Sequence, residues 1–248
     1  MSIKIALSVA LVGLAASSVR AASLTLSNVA PNASMTVTFP GLPAETTPYV
    51  GQINWTFDRG ASDNGQLDSL IAGTSLSTFC IEGTQNVYIG QSTSFAHVYT
   101  DISVAPQDNA GSSFVMGSSK AASLNQFWDA YYGQAGLSNA NAAAFQLGIW
   151  EILYDTTPDL TSGAFVATHT GDADSTLAYT EAQNWLGNYT SVKAATHYEL
   201  YALSDANLQD QLFGVPTQGS VVPLPAALPA GLGLLGGLGL WRKARKPK

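Results

Sequence analysis

Asn139-Ala140-Asn141-Ala142-Ala143-Ala144-Phe145-Gln146-Leu147-Gly148-Ile149-Trp150-Glu151-Ile152-Leu153-Tyr154 is the stretch that decides the fold. Ala142, Phe145, Ile149 and Ile152 recur at three and four and make one stripe, and Gln146, Trp150 and Leu153 make a second beside it. Little of the girth is left for water, so the spacing predicts a helix in the centre of a domain and not on its surface. Ser138 or Asn139 supplies an N-cap, and Pro158 follows soon after the last turn. Gln146 then sits on a buried helix between Phe145 and Leu147, where an unsatisfied amide costs about 1–3 kcal/mol. Something must hydrogen-bond it or bond to it.

The bland partner is the backbone of a neighbouring strand. The reactive one is Cys80, in Phe79-Cys80-Ile81-Glu82, the only cysteine of 248 residues and therefore unable to form an intramolecular disulfide. A lone cysteine in an exported chain is either a buried, inert side chain or a thiol that awaits a partner. A thiol lying against a glutamine carboxamide can attack its carbonyl, expel ammonia and leave an internal thioester, which is an acyl donor stored inside the fold.

An aromatic-Cys-aliphatic-acidic strand followed by a Phe-Gln-x-small-aliphatic-Trp helix resembles the thioester domains of bacterial surface adhesins, over roughly Leu76 to Asp155. The resemblance implies a Cys80-Gln146 cross-link and covalent adhesion to a partner. The family usually has Asp where this chain has Glu82, and Ala where it has Gly148. Phe79, Phe145 and Trp150 are expected to keep water from the acyl carbon, and Gly148 to let a strand approach the helix closely. Glu82 shares a strand face with the sulfur, as a general base, a steering charge for an amine, or simply a solvated acid.

Both ends read as address labels. Lys4, an apolar run from Ile5 to Ala16 and Val19-Arg20-Ala21 predict a secretory signal peptide over residues 1–21. At the far end, Val222-Pro223-Leu224-Pro225-Ala226 precedes a Gly/Leu run to Leu240 and a basic stop from Arg242 to Lys246. About 16 apolar residues are marginal for crossing a bilayer, and a basic end is retained in the cytoplasm. The tail, 219–248, resembles the PEP-CTERM sorting signals of Gram-negative bacteria in their Val-Pro-Leu-Pro-Ala variant. That implies recognition by an exosortase-type membrane protease, transient inner-membrane anchoring, and then the cell surface or extracellular matrix. The alternative is a plain C-terminal anchor.

Between the labels lies a body of residues 22–218, enough for one domain with a sizeable core. It keeps only Arg59, Lys120 and Lys193 of the ten basic residues but all seventeen acids, a net charge of −14. Such a surface repels nucleic acid and attracts amine-bearing partners. A lysine-poor body also spares a stored acyl group from its own side chains.

Along the body, alternation predicts two short strands in Ser23 to Phe39 broken at Pro31-Asn32, then strands at Tyr49 to Phe57, Leu76 to Ile81, Asn86 to Gly90 and Ser94 to Val104. Leu67 to Leu76 reads as a connector. A helix from Ser118 to Tyr132 ends at Gly133, and a third is capped by Asp174 or Ser175, ends at Gly187-Asn188 and turns Leu177, Ala178, Ala182, Trp185 and Leu186 inward. Thr161 to Ala173 reads as a loop or short hairpin, and strands return at Tyr198 to Leu203 and Gln211 to Val215. The expectation is α+β: a sandwich- or barrel-like β scaffold with an inserted bundle of about three helices.

Competing chemistries are thinly supported by the residues. Cys80 with His97, His169 or His197 would make a thiol-imidazole pair, but none of the three sits in a local motif. Asp172-Ala173-Asp174 and the acidic stretch Asp58 to Asp68 do not match a calcium cage, and no phosphate-cradling loop is present. Tyr131, Tyr132 and Trp185 either line a sugar groove or, at helical spacing, form core. No cofactor or metal is expected. The chain is expected to be an exported surface or biofilm-matrix protein that attaches through its thioester to an amine- or hydroxyl-bearing protein or polysaccharide, in a single event and not as an enzyme. The alternative is a non-covalent envelope component with a free buried thiol.

Overall fold

The computed structural model describes residues 23–58, 65–71, 73–107 and 115–217. The proposed leader and the Val222–Ala226 motif lie outside them. Antiparallel strands form one curled sheet in the order β4 (Ser92–Thr93), β1 (Ser23–Thr38), β2 (Glu45–Asp58), β3 (Ser75–Cys80), β8 (Leu208–Pro216), β7 (Tyr198–Asp205), β5 (His97–Tyr99), with β6 (Val166–His169) added on β1, and three long helices pack against it. The class is α+β with a barrel-like sheet.

The sheet starts from two long strands, β1 (Ser23–Thr38) and β2 (Glu45–Asp58). Their inward positions, among them Leu24, Leu26, Met35, Val50, Ile53 and Trp55, are almost fully buried, as period-two alternation requires. The expected break at Pro31-Asn32 is absent as a strand end: β1 runs through it, and register shifts between Leu26 and Asn28, Val29 and Asn32, and Ala33 and Met35 absorb the irregularity. Gly51 on β2 is held at φ +157, and a Cβ there would lie 2.3 Å from the carbonyl oxygen of Pro31.

A short helix, α1 (Gly65–Leu70), occupies part of the expected connector, and β3 (Ser75–Cys80) follows. The next region departs from expectation. Asn86 to Gly90 is loop, and the long strand read from Ser94 to Val104 is reduced to β4 (Ser92–Thr93), β5 (His97–Tyr99) and a 3-10 turn at Ile102–Val104. Asp101 caps that turn by accepting from the Ser103 N–H at 2.9 Å; the apolar residues Phe95, Val98, Tyr99 and Ile102 are buried or half-buried from short, separate pieces and not from one strand.

Helix α2 (Ser118–Ala135) passes through Gly133 and stops at Gly136. Ser138 caps α3 (Asn139–Tyr154), accepting from the Asn141 N–H at 3.0 Å. All residues of α3 from Ala142 to Leu153 are buried, because it packs across β1, β2 and β3 on one side and α2 and α4 on the others. β6 (Val166–His169) turns the expected loop into a short strand on β1. α4 (Ala173–Asn188) is capped by Asp172, two residues before Asp174, the earlier of the two expected caps, and Leu177 faces solvent, not the core. β7 (Tyr198–Asp205) and β8 (Leu208–Pro216) form a hairpin whose second strand pairs with β3.

Candidate functional site

Helix α3 and strand β3 meet at Gln146 and Cys80, buried to 1% and 2% exposure. The Cys80 N–H donates to Gln146 Oε1 at 2.8 Å, and Gln146 Nε2 donates to the Cys80 carbonyl at 2.8 Å. The carboxamide thus pairs with the main chain of Cys80 as a further strand would, which answers the polar-burial problem raised by the sequence.

The Cys80 sulfur is held by its own chain two residues on. Sγ lies 2.6 Å from the Glu82 carbonyl, and the Glu82 N–H points at Sγ from 3.4 Å. Just past the strand end, the Ile81 N–H donates to the Asp210 carbonyl at 3.0 Å, and Gln209 Nε2 donates to the Glu82 carbonyl at 3.4 Å. Glu82 is not solvated: it is completely buried. Burial pushes the Cys80 thiol well above its usual range; the Glu82 carbonyl opposes that shift, the Glu82 carboxylate adds to it, and the Trp150 indole works against it.

Aromatic rings surround the pair unequally. Phe79 and Phe145 stand edge-on at 4.8 Å and close the rear with Trp128 and Phe127. Trp150, one turn beyond Gln146, meets Phe39 in a T-shaped contact at 5.0 Å and Phe165 at a tilt at 5.8 Å. Its buried Nε1–H is near enough to the Cys80 sulfur to ease the thiol's shift, but it makes no hydrogen bond of normal geometry. Gly148 does not serve a strand approach: a Cβ there would meet the Phe127 ring of α2 at 2.2 Å, so the missing side chain makes room for a helix neighbour.

A groove of about 470 Å³ opens onto this corner, with Cys80, Gln146 and Trp150 in its lining. Its walls are the β1–β2 connector with Leu42, the first half of β2 with Glu45 and Tyr49, and the loop after β3 with Tyr88 and Ile89. None of these rim residues was singled out from sequence. The signal that was available, a Tyr-Ile pair in Asn86 to Gly90, had been absorbed into an expected strand.

The other candidates lie elsewhere. His97, His169 and His197 are exposed and do not hydrogen-bond the sulfur, and His197 Nδ1 pairs with Asp129 Oδ2 at 2.6 Å. Tyr131 stacks on Trp185 at 4.7 Å with both rings largely buried, which places them in the core. Asp172 is a helix cap, with its acid pulled down to about 2 by Thr170 and the Ser175 N–H. Among the described residues no group of three or more His, Cys, Asp or Glu is arranged to hold a metal ion, and no helix is long and apolar enough to cross a membrane.

Two buried acids were not anticipated. Glu151 lines a second cavity of about 270 Å³; one carboxylate oxygen accepts the Asp159 N–H at 2.7 Å and the other has no partner. Burial lifts it to about 7, against the pull of that N–H. Asp210, on β8, is lifted to about 7 by burial as well.

The corner brings a thiol, a carboxamide carbonyl already polarised by an N–H donor, and a solvent-facing groove into one place. That is the equipment for an acyl transfer from Gln146 to sulfur and onward to a nucleophile. Compared with known protein families, curated proteins and solved structures, the chain gives no match.

Proposed function

We propose that the chain is an exported surface or matrix protein in which Cys80 and Gln146 form an internal thioester that acylates an amine or hydroxyl on a partner. The observation that carries this reading is the two-bond seat of the Gln146 carboxamide on Cys80's own main chain. In cross-link formation the thiol sulfur bonds the carboxamide carbon, the C–N bond breaks, and the thiol proton leaves with nitrogen as ammonia. The Cys80 N–H stays on the carbonyl oxygen, where negative charge builds as the carbon becomes tetrahedral.

In the second step an incoming amine attacks the same carbon, the C–S bond breaks, and the sulfur takes up a proton released by the amine. The product is an amide at Gln146 and a free Cys80 thiol. The thioester is spent, so the event is a single attachment and not turnover. Glu82, buried beside the sulfur, is the nearest named acid for moving that proton. Export by a leader at 1–21 and sorting through Val222-Pro223-Leu224-Pro225-Ala226 by an exosortase-type protease complete the proposal.

A second reading keeps the same fold with a free thiol in a non-covalent envelope or matrix component. It is favoured by the completeness of the Gln146 pairing, which satisfies the amide without any bond to sulfur. Intact mass of the purified 22–218 body beside its Cys80→Ala variant separates the two. The thioester predicts a wild type lighter than its calculated mass by one ammonia, which methylamine converts to an N-methylamide at Gln146 one methylene heavier than the calculated mass, and a variant that matches its own calculated mass. Unaltered masses for both, with no methylamine uptake, leave the scaffold reading.

A further inference from the structure

The groove above the Cys80-Gln146 corner has a lining that the cross-link itself does not need. Leu42, Tyr49, Tyr88 and Ile89 stand at its mouth with 41%, 58%, 67% and 60% of their surfaces exposed. Large apolar side chains clustered around one opening mark a surface that is covered in use. Deeper in, Phe39 and Trp150 continue the apolar wall down to Gln146. One acid, the exposed Glu45, stands among the lining residues.

A nucleophile reaching Gln146 must therefore pass an apolar mouth bearing a negative charge. A bare sugar hydroxyl gains nothing from that passage, since it loses water without replacing its hydrogen bonds. A primary amine carried beside an aromatic or aliphatic group gains twice: its ammonium is drawn by Glu45 and the acidic body, and its apolar neighbour is buried against Tyr49, Tyr88 and Ile89.

We infer that the partner captured by this chain presents a primary amine flanked by an apolar group, such as a lysine next to an aromatic or aliphatic residue, and that Leu42, Tyr49, Tyr88 and Ile89 select it. This rests on the thioester reading. The step is the one already balanced once the ammonium has given one proton to water: the neutral amine nitrogen bonds the Gln146 carbonyl carbon, the C–S bond breaks, and the second proton displaced from nitrogen goes to the Cys80 sulfur.

The test compares opening rates of the wild-type body with methylamine, phenethylamine and glucosamine, read by intact mass, and repeats them on Tyr88→Ser/Ile89→Ser. Both residues are exposed, and circular dichroism checks that the double variant stays folded. The expected result is that phenethylamine opens the wild type about tenfold or more faster than methylamine, the scale of one apolar contact in a pocket. The double variant loses that preference, its phenethylamine rate falling to its own methylamine rate. Equal rates for the three amines, a faster reaction with glucosamine, or a preference that survives the double substitution overturns the inference and leaves the thioester standing. No ammonia loss and no opening by any amine overturns both, and is told apart by the wild-type mass alone.

Discussion

The space in front of Gly83 is filled by Phe39: a Cβ at position 83 would lie 2.3 Å from the ring. The same ring stands edge-on to Trp150, at 5.0 Å and 86°, so the loop that walls the groove and the helix that carries Gln146 are coupled through one phenyl group. Gly83→Ala forces Phe39 against Trp150 or lifts the loop. Overpacking of this kind costs about 1–3 kcal/mol. The expected outcome is a lowered denaturant midpoint, together with faster hydrolysis of the proposed thioester as the loosened loop admits more water; an unchanged midpoint would show that the ring has room to rotate away.

Gln146→Met keeps the length of the side chain and removes both hydrogen bonds to Cys80. The Cys80 N–H and carbonyl are then left buried without their present partner, at about 1–3 kcal/mol for each orphaned group. Cys80→Ala, in contrast, keeps the main-chain pairing and loses only the sulfur. Chemical denaturation of the two variants is expected to place Gln146→Met well below Cys80→Ala. The reverse order would mean that the packing and contacts of the Cys80 sulfur, and not the amide pairing, hold helix α3 to strand β3.

How far the sequence carried this site follows from what each residue touches. Helix α3 was legible because it is buried all round, so every position from Ala142 to Leu153 speaks for the same answer. Cys80 and Gln146 were legible as a pair because each is an exception in its surroundings, one the sole cysteine, the other a polar residue in an apolar run. The groove was not. Tyr49, Tyr88 and Ile89 are aromatic or β-branched like strand residues, yet they are exposed, and periodicity cannot say which apolar residues stay outside. Pro31 misled for the opposite reason: a residue that usually ends a strand sits within β1, where three register shifts take up the misfit.

Gly148 offers a paired test of packing behind the site. A Cβ there would sit 2.2 Å from Phe127 Cζ, with the other near atoms on the same ring. Gly148→Ala alone is expected to destabilise by about 1–3 kcal/mol, despite alanine's better helix propensity. Phe127→Leu alone opens a void. Combined, the added methyl occupies space the ring gave up, and the double variant is expected to be more stable than the sum of the single losses, a coupling read from a double-mutant cycle. Strict additivity would show that the two residues do not contact.

Glu151 and Asp210 set a pH dependence that runs opposite to ordinary acid denaturation. Burial lifts both carboxyls to about 7, from 4.5 and 3.8. A carboxyl that holds its proton more tightly in the folded state than in the unfolded one favours folding most below its unfolded pKa, and that advantage is lost as pH climbs through the folded value. Between about pH 4 and 7 these two groups therefore make the fold less stable with every step upward. Thermal midpoints of the wild type are expected to fall from pH 5 to pH 8. Glu151→Gln keeps an oxygen for the Asp159 N–H, and Asp210→Asn keeps one for the Asp205 N–H. Each is expected to flatten the fall and to raise the midpoint at pH 8. A wild-type midpoint that rises over this interval, or variants that follow the wild-type slope, would place the charges of these two residues in contact with water.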